Sequence, residues 1–193
     1  MKELENLEEK LILKRVLNGE KEAFAEIYDF YVIRIFRFVY LKTSSKETAE
    51  DLTSDAFLRC WKYIKEKSES GKKEIIKNNK IGSFLYRIAR NLIIDHYRKK
   101  KHKTVEISEE EKESIVDQKQ DILAEIDKKQ EIEELRKALG HLNDDYQEIL
   151  ILRYVEDLSM AEIAEITEKK EGAIRVQLHR AVKALEKVMR NDI

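Results

Sequence analysis

The chain has 193 residues, 40% of them charged, and a formal net charge of -1 at pH 7. With 5 glycines and no proline, it lacks the turn residues of a β-sandwich or barrel, so an all-α fold is predicted. A hydrophobic content of 42% is enough for packed cores and argues against general disorder. The lone Cys60, the absence of a membrane-length apolar run and the acidic N-terminus predict a cytoplasmic protein without disulfides or membrane insertion.

The first half of the chain predicts several helices. An apolar face at helical spacing extends from Phe24 to Val39, as a core helix requires. Ser44 and Glu47 have the spacing of a capping box, so the next helix is expected to start near Ser45. The polar residues 68–80 predict a loop before another helix.

That later helix opens near Gly82 and is strongly basic. Residues 78–104 contain eight Lys or Arg and one acidic residue. Cations beside aromatic rings can neutralise phosphates and stack on unpaired bases, whereas short polar side chains can hydrogen-bond a base edge. The alternative is that Tyr86 and Tyr97 are core or rim aromatics and that residues 98–101 are a solvated helix end.

An acidic segment follows. Residues 105–135 carry twelve Asp or Glu against four Lys. Residues 102–124 have too few aliphatic side chains to offset the entropy cost of ordering, so they are predicted to be a flexible acidic linker. Two small helical domains are therefore expected, over residues 1–101 and 125–193.

The second domain predicts helices at about 126–141, 144–155, 160–166 and 171–191. Asn143 is expected to be an N-cap, and Ser159 with Glu162 forms a capping box. A short helix, a tight connection and a longer basic helix make a helix-turn-helix, whose second helix suits the DNA major groove.

Three segments resemble a known family in the order in which they occur. AEDLTSDAFLRCW (49–61) is similar to the core-binding region of bacterial RNA polymerase sigma factors. FLYRIARNLIIDHYRKK (84–100) resembles the helix that melts and reads the −10 element. LSMAEIAEI (158–166) with EGAIRVQLHRA (171–181) resembles the helix-turn-helix that reads the −35 element. This order, interrupted by a linker, resembles the extracytoplasmic-function (ECF) sigma factors over about residues 20–188.

The resemblance implies a role for three groups of residues. The residues expected to bind core polymerase are Asp51, Asp55, Leu58 and Trp61, although Trp61 also suits the core and the two acids also suit a solvated face. The residues expected to contact the −10 DNA are Tyr86, Arg87, Arg90, Asn91, Asp95, Arg98 and Lys99. Those expected to contact the −35 DNA are Arg175, Gln177, His179, Arg180 and Lys183, the last also suiting a solvent lysine. Residues 64–80 would form the loop that holds an extruded −10 base.

The resemblance also implies partners and an absence of catalysis. It implies a sigma factor that binds core RNA polymerase and promoter DNA, is held by an anti-sigma factor and is a monomer when free. No enzyme motif is present, and the scattered histidines predict no metal or other cofactor. One departure concerns the helix-turn-helix, where Thr167, Glu168 and Lys169 stand in place of the turn glycine usual in relatives.

Two rival functions remain from the residues alone. A DNA-binding regulator that acts without polymerase would bind duplex DNA tightly by itself, as a dimer. A helical protein that binds only other proteins would show no salt-dependent affinity for DNA. Neither rival explains segment 49–61 preceding helix 84–100.

Overall fold

The computed structural model describes residues 2–18, 20–69, 80–103 and 129–191. Within these ranges the chain is helical and contains no strand, which confirms the all-α prediction. The helices are α1 (Lys2–Leu17), α2 (Lys21–Thr43), α3 (Lys46–Glu69), α4 (Ile81–Lys103), α5 (Lys129–Gly140), α6 (Asp144–Leu150), α7 (Met160–Thr167) and α8 (Glu171–Asn191). No helix in the described ranges is long and apolar enough to cross a bilayer.

The N-terminal domain is built around α2. This helix contacts α1, α3 and α4, so it must be apolar around most of its circumference. Its most buried side chains include Ile35, Phe36, Phe38 and Val39, each 0% exposed. Burial of such side chains contributes about 1.5–3 kcal/mol each. The contact between α2 and α4 holds α4 against the rest of the N-terminal domain.

The start of α3 differs by one residue from the predicted cap. Ser44 ends α2 in the left-handed conformation at φ 57°, and its N–H donates to the Tyr40 carbonyl. Ser45 is the N-cap instead, because its Oγ accepts from the Thr48 N–H at 3.3 Å. The predicted Ser44–Glu47 capping box is therefore wrong, although the predicted helix start is correct.

Two helices extend beyond their predicted ends. α3 continues through Ser68, whose Oγ donates to the Leu17 carbonyl at 3.0 Å. Residues 64–69 are thus helical rather than part of a loop, and residues 70–79 lie outside the described ranges. α4 continues to Lys103, two residues into the predicted linker, most of which also lies outside them.

The C-terminal domain follows the predicted helices closely. The Asn143 side chain caps α6 by accepting from the Tyr146 N–H at 2.9 Å. The predicted capping box is present at α7, where Ser159 and Glu162 each bond the other's backbone N–H. A single π-helical turn, Ile151–Val155, continues α6 and closes with a 3.0 Å bond from the Glu156 N–H to the Ile151 carbonyl.

The turn between α7 and α8 forms without a glycine. Glu168 adopts the left-handed conformation at φ 57°, which is unfavourable for a residue with a Cβ. The Lys169 N–H nevertheless donates to the Ala164 carbonyl at 3.0 Å. The helix-turn-helix therefore closes at the cost of local backbone strain.

The two domains pack against each other. α4 contacts α7, and α2 contacts both α6 and the π-helical turn. This contact brings polar groups of the C-terminal domain onto the helix expected to bind −10 DNA.

Candidate nucleic-acid and polymerase interfaces

The second helix of the helix-turn-helix presents a polar, basic face to solvent. Arg175, His179, Arg180 and Lys183 are all exposed, and Arg175 lies 3.6 Å from Glu171 one turn earlier. Ile174, Leu178 and Ala181 form the buried side. Four of the five residues predicted to read −35 DNA therefore lie on the accessible face of α8.

Gln177 is the fifth predicted reader, and its amide is already bonded within its own domain. Its Nε2 donates to the Asp145 carbonyl at 3.3 Å, and its Oε1 accepts from Lys169 Nζ at 3.1 Å. Lys169 also lies 3.3 Å from the Asp145 carboxylate. Because both ends of the amide are occupied, Gln177 would have to exchange these bonds to read a base.

α4 carries the residues predicted to contact −10 DNA, and several of them are accessible. Asn91, Arg98 and Lys99 are exposed, whereas Arg87 is half-buried with its guanidinium 5.4 Å from the Phe84 ring centroid. The Asp95 carboxylate forms an ion pair with Arg98 Nη2 at 2.9 Å. The accessible part of α4 is thus cationic with one neutralised carboxylate.

Tyr86 is buried rather than available for stacking. It is 1% exposed, and its ring packs edge-on against Phe38 at a centroid distance of 5.5 Å. Its hydroxyl donates to Glu156 Oε2 at 2.7 Å. Burial and the neighbouring Glu156 charge both raise the pKa of Tyr86. Tyr86 is therefore a core aromatic, as the alternative interpretation had it, and in this arrangement its ring is not accessible for stacking on a base.

Tyr97 differs from Tyr86. It is 41% exposed, and its hydroxyl donates to the Lys42 carbonyl at 2.8 Å. Its ring meets that of His96 edge-on at 5.5 Å. Tyr97 is therefore a rim aromatic that keeps part of its surface accessible.

Glu156 lies at the centre of the contact between the domains. Its side chain is 0% exposed and accepts from Arg37 at 2.8 and 2.9 Å as well as from Tyr86. Arg37 also donates to the Val155 carbonyl at 3.2 Å. We refer to Glu156, Arg37 and Tyr86 as the Glu156 cluster. A buried carboxylate needs such partners to offset the loss of its hydration.

Four further polar pairs cross the same contact. In each pair the C-terminal domain supplies a carboxylate and the N-terminal domain supplies a cation or a phenol. They are Arg90 with Glu148 at 2.9 Å, Lys42 with Asp144 at 3.4 Å, Lys80 with Glu162 at 3.7 Å, and Tyr40 with Glu133. Arg90, a predicted −10 contact, is therefore occupied by a carboxylate in this arrangement.

Two of the four residues predicted to bind core polymerase line an open apolar groove. Leu58 and Trp61 line it together with residues of α2. Asp51 is exposed one turn before Asp55, and Asp55 lies 3.6 Å from Arg59. The remaining residues lining the groove are Phe24, Ala25, Tyr28 and Phe57.

Sequence reasoning missed two features of these interfaces. It placed Phe24 and Tyr28 in the core, yet Tyr28 is 41% exposed, because the broad apolar face of α2 is wider than its partners cover. It also assigned no role to Glu156, since the π-helical turn that directly precedes this residue has no recognisable sequence signal.

Comparison with known proteins identifies the family. The models of sigma-70 region 2 and sigma-70 region 4 match residues 27–103 and 132–185. The chain is 31% identical over 189 residues to the ECF RNA polymerase sigma factor SigW of Bacillus subtilis. This alignment covers 93% of this chain and 95% of SigW. The chain belongs to the ECF sigma factors. As a sigma factor it is a specificity subunit that supports promoter-specific transcription initiation, and it is not itself an enzyme.

Two further proteins extend the comparison. The ECF sigma factor BldN of Streptomyces coelicolor is 32% identical over 191 residues, which are 94% of this chain and 66% of BldN. The sigma factor RpoE, solved in complex with the anti-sigma factor NepR from Bartonella quintana, matches with a TM-score of 0.61 and 22% identity. That match covers 88% of this ECF sigma factor and 98% of RpoE, and it supports the shared fold.

Proposed function

We propose that this ECF sigma factor reads the −35 element with α8, opens and reads the −10 element with α4, and docks on core polymerase through α3 and the apolar groove. The observation that carries the proposal is the exposed basic face of α8 on a correctly capped helix-turn-helix. The cationic α4 in the same chain supports the second part.

Recognition of the −35 element would use side chains of different chemistry along α8. Arg175 and Arg180 suit guanine, and Gln177 suits adenine, each through a bidentate contact worth about 1–3 kcal/mol of discrimination. Lys183 would neutralise a phosphate. His179 lies on the same exposed face and would contact an adjacent base or phosphate.

Promoter opening would use α4. The exposed Asn91, Arg98 and Lys99 and the half-buried Arg87 would hold the backbone and edges of unpaired bases. Arg90 would join them once Glu148 leaves it, and Asp95 would exchange its bond with Arg98 for one to a base. Tyr86 would act from the core, by holding α4 against Phe38.

Docking on core polymerase would involve Asp51 and Asp55 beside Leu58 and Trp61. An apolar groove that shares its helix α3 with two carboxylates suits a partner that presents apolar side chains and cations. Because the sigma factor RpoE was solved with an anti-sigma factor, we also propose an anti-sigma partner for this chain. The free protein would be a monomer.

Transcription with bacterial core enzyme tests the proposal. We expect promoter-specific transcripts from a library of random promoters, and their absence would refute the sigma-factor roles assigned to α4 and α8. Tight, sequence-specific duplex binding by the protein alone, without such transcripts, would favour the regulator alternative.

Two variants in α8 separate base reading from phosphate binding. Gln177→Ala should change the preferred base at one −35 position and leave core binding intact. Lys183→Ala should weaken initiation at all promoters alike and lower the salt dependence of binding. An unchanged promoter profile for Gln177→Ala would refute its role as a reader.

A further inference from the structure

The exposed face of α8 carries an aliphatic side chain, Val176, to which the proposed function assigns no role. Val176 is the sixth residue of the helix and is 53% exposed. Ile174 and Leu178, two residues before and two after it, are buried. Residues two apart on an α-helix point about 160° away from each other, because each residue turns by about 100°. Val176 therefore points almost directly away from the hydrophobic core.

The neighbours of Val176 leave it at the centre of this face. Arg175 and Gln177 lie about 100° to either side of it. Arg175 Nη2 lies 3.6 Å from a Glu171 carboxylate oxygen, and Gln177 Nε2 donates to the Asp145 carbonyl at 3.3 Å. Both long side chains are thus held on the flanks of the helix, whereas Val176 has no bond to exchange before it can meet a partner.

The turn before Val176 carries only small groups on this face. A Cβ on Gly172, four residues earlier, would meet nothing within 4 Å, and Ala173 is exposed. Arg180 and Lys183, four and seven residues later, are exposed along the same line of the helix. Cations there would hold the helix in the groove through phosphates or guanine. Because the N-terminal residues of a recognition helix approach the base edges, Val176 would meet them.

The major groove offers a specific apolar partner to such a side chain. Thymine presents its C5-methyl group there, whereas the other edges of the base pairs present mainly hydrogen-bond donors and acceptors. Valine carries two methyl groups, and its branched Cβ restricts χ1, so it loses little side-chain freedom when it packs against a methyl group. Removing these apolar surfaces from water favours binding.

We propose that Val176 reads thymine in the −35 element, by packing its methyl groups against one thymine C5-methyl group in the major groove. The inference rests on the proposed role of α8 as the −35 reader and adds a residue to it. Arg175 and Arg180 suit guanine and Gln177 suits adenine through hydrogen bonds. Val176 adds a contact that responds to a methyl group instead.

Replacing thymine by uracil measures this contact, because it removes the methyl group and keeps the hydrogen-bonding groups of the base pair. The preferred promoter is first selected from the random library with holoenzyme made from core polymerase and the full-length protein. Each thymine on either strand of its −35 element is then replaced singly, and holoenzyme binding is measured by gel mobility shift. We expect one of these replacements to weaken binding about fourfold, which corresponds to about 0.8 kcal/mol for one methyl-sized group.

Val176→Ala is the test variant, because it removes both methyl groups at an exposed position and has the higher helix propensity. Its holoenzyme should bind the thymine and uracil forms of that position equally, and its circular dichroism should match that of the wild type. Met189→Ala is the matched control, since Met189 is 58% exposed on the same helix thirteen residues later. Its holoenzyme should keep the wild-type preference for thymine over uracil.

Two results would overturn this inference and leave the proposed function intact. One is a wild-type holoenzyme that initiates at specific promoters but responds to no uracil in the −35 element, or whose −35 element contains no A·T pair. The other is a preference for thymine over uracil that persists in Val176→Ala, which would place the methyl group against another side chain. A wild-type protein that directs no specific transcript would instead contradict the proposed function, and this inference with it.

Discussion

Gly82, the second residue of α4, is the site of a sharp steric prediction. A Cβ at this position would lie 2.5 Å from the Tyr31 hydroxyl and 2.9 Å from two of its ring carbons. Ordinary contact begins near 3.4 Å, so the hydroxyl would have to move by about 0.9 Å. Tyr31 is only 6% exposed and packs against Phe30, which leaves it little room.

The size of the effect follows from a matched control. Gly172 is the second residue of α8, and a Cβ there would meet nothing within 4 Å. Both Gly→Ala changes gain helix propensity, but only Gly82→Ala overpacks a core, at about 1–3 kcal/mol. We therefore expect Gly82→Ala to be less stable than Gly172→Ala by about 1–3 kcal/mol.

Urea unfolding followed by circular dichroism measures this difference directly. Tyr31→Phe removes the nearest atom, so a double-mutant cycle with Gly82→Ala should reveal a favourable coupling energy. Equal stabilities for the two alanine variants, or no coupling to Tyr31, would refute the steric reasoning.

Three further predictions concern single side chains. Glu168→Gly should stabilise the protein by about 0.5–1 kcal/mol, because glycine adopts φ 57° without strain; a lower melting temperature than wild type would contradict this. Burial raises the pKa of Cys60 to about 12, so the native thiol should resist iodoacetamide at pH 8 and react normally in urea, whereas equal rates in both states would show that it is accessible. Burial also raises the pKa of Glu9 above 4.5, against the opposing bond from the Gly82 N–H. Since the folded state then holds the proton more tightly, the stability from this group is present below about pH 4.5 and is lost as pH rises through the raised pKa. Glu9→Gln should remove this part of the pH dependence of the unfolding free energy, and parallel pH profiles for the two proteins would exclude it.

Periodicity and capping chemistry predicted most of the fold. Asn143, Ser159 and Glu162 cap the helices that the sequence assigned to them, because these bonds depend only on neighbours three residues away. The cap of α3 was misplaced by one residue because Ser44 and Ser45 are both capable of capping. The end of α2 decides between them, since it takes Ser44 into the left-handed conformation.

The candidate site was less predictable because burial depends on packing between distant segments. Tyr86 and Tyr97 are eleven residues apart and so lie on nearly the same face of α4. Phe38 and Glu156 cover Tyr86, whereas Tyr97 lies near the end of α4 and stays 41% exposed. The pairing of Arg90 with Glu148, 58 residues later, has no local signal in the sequence.

The π-helical turn at Ile151–Val155 has a genetic consequence. Such a turn holds one residue more than an α-helical turn would, and Glu156 follows it directly. Five π-helical residues and four α-helical residues turn through nearly the same angle, so deleting a single codon from this turn would restore α-helical geometry and leave Glu156 at nearly its present angle around the helix axis. One in-frame deletion of an uncharged residue would thereby keep Glu156 facing Arg37 and Tyr86, so this turn tolerates a change of length that a regular α-helix would not.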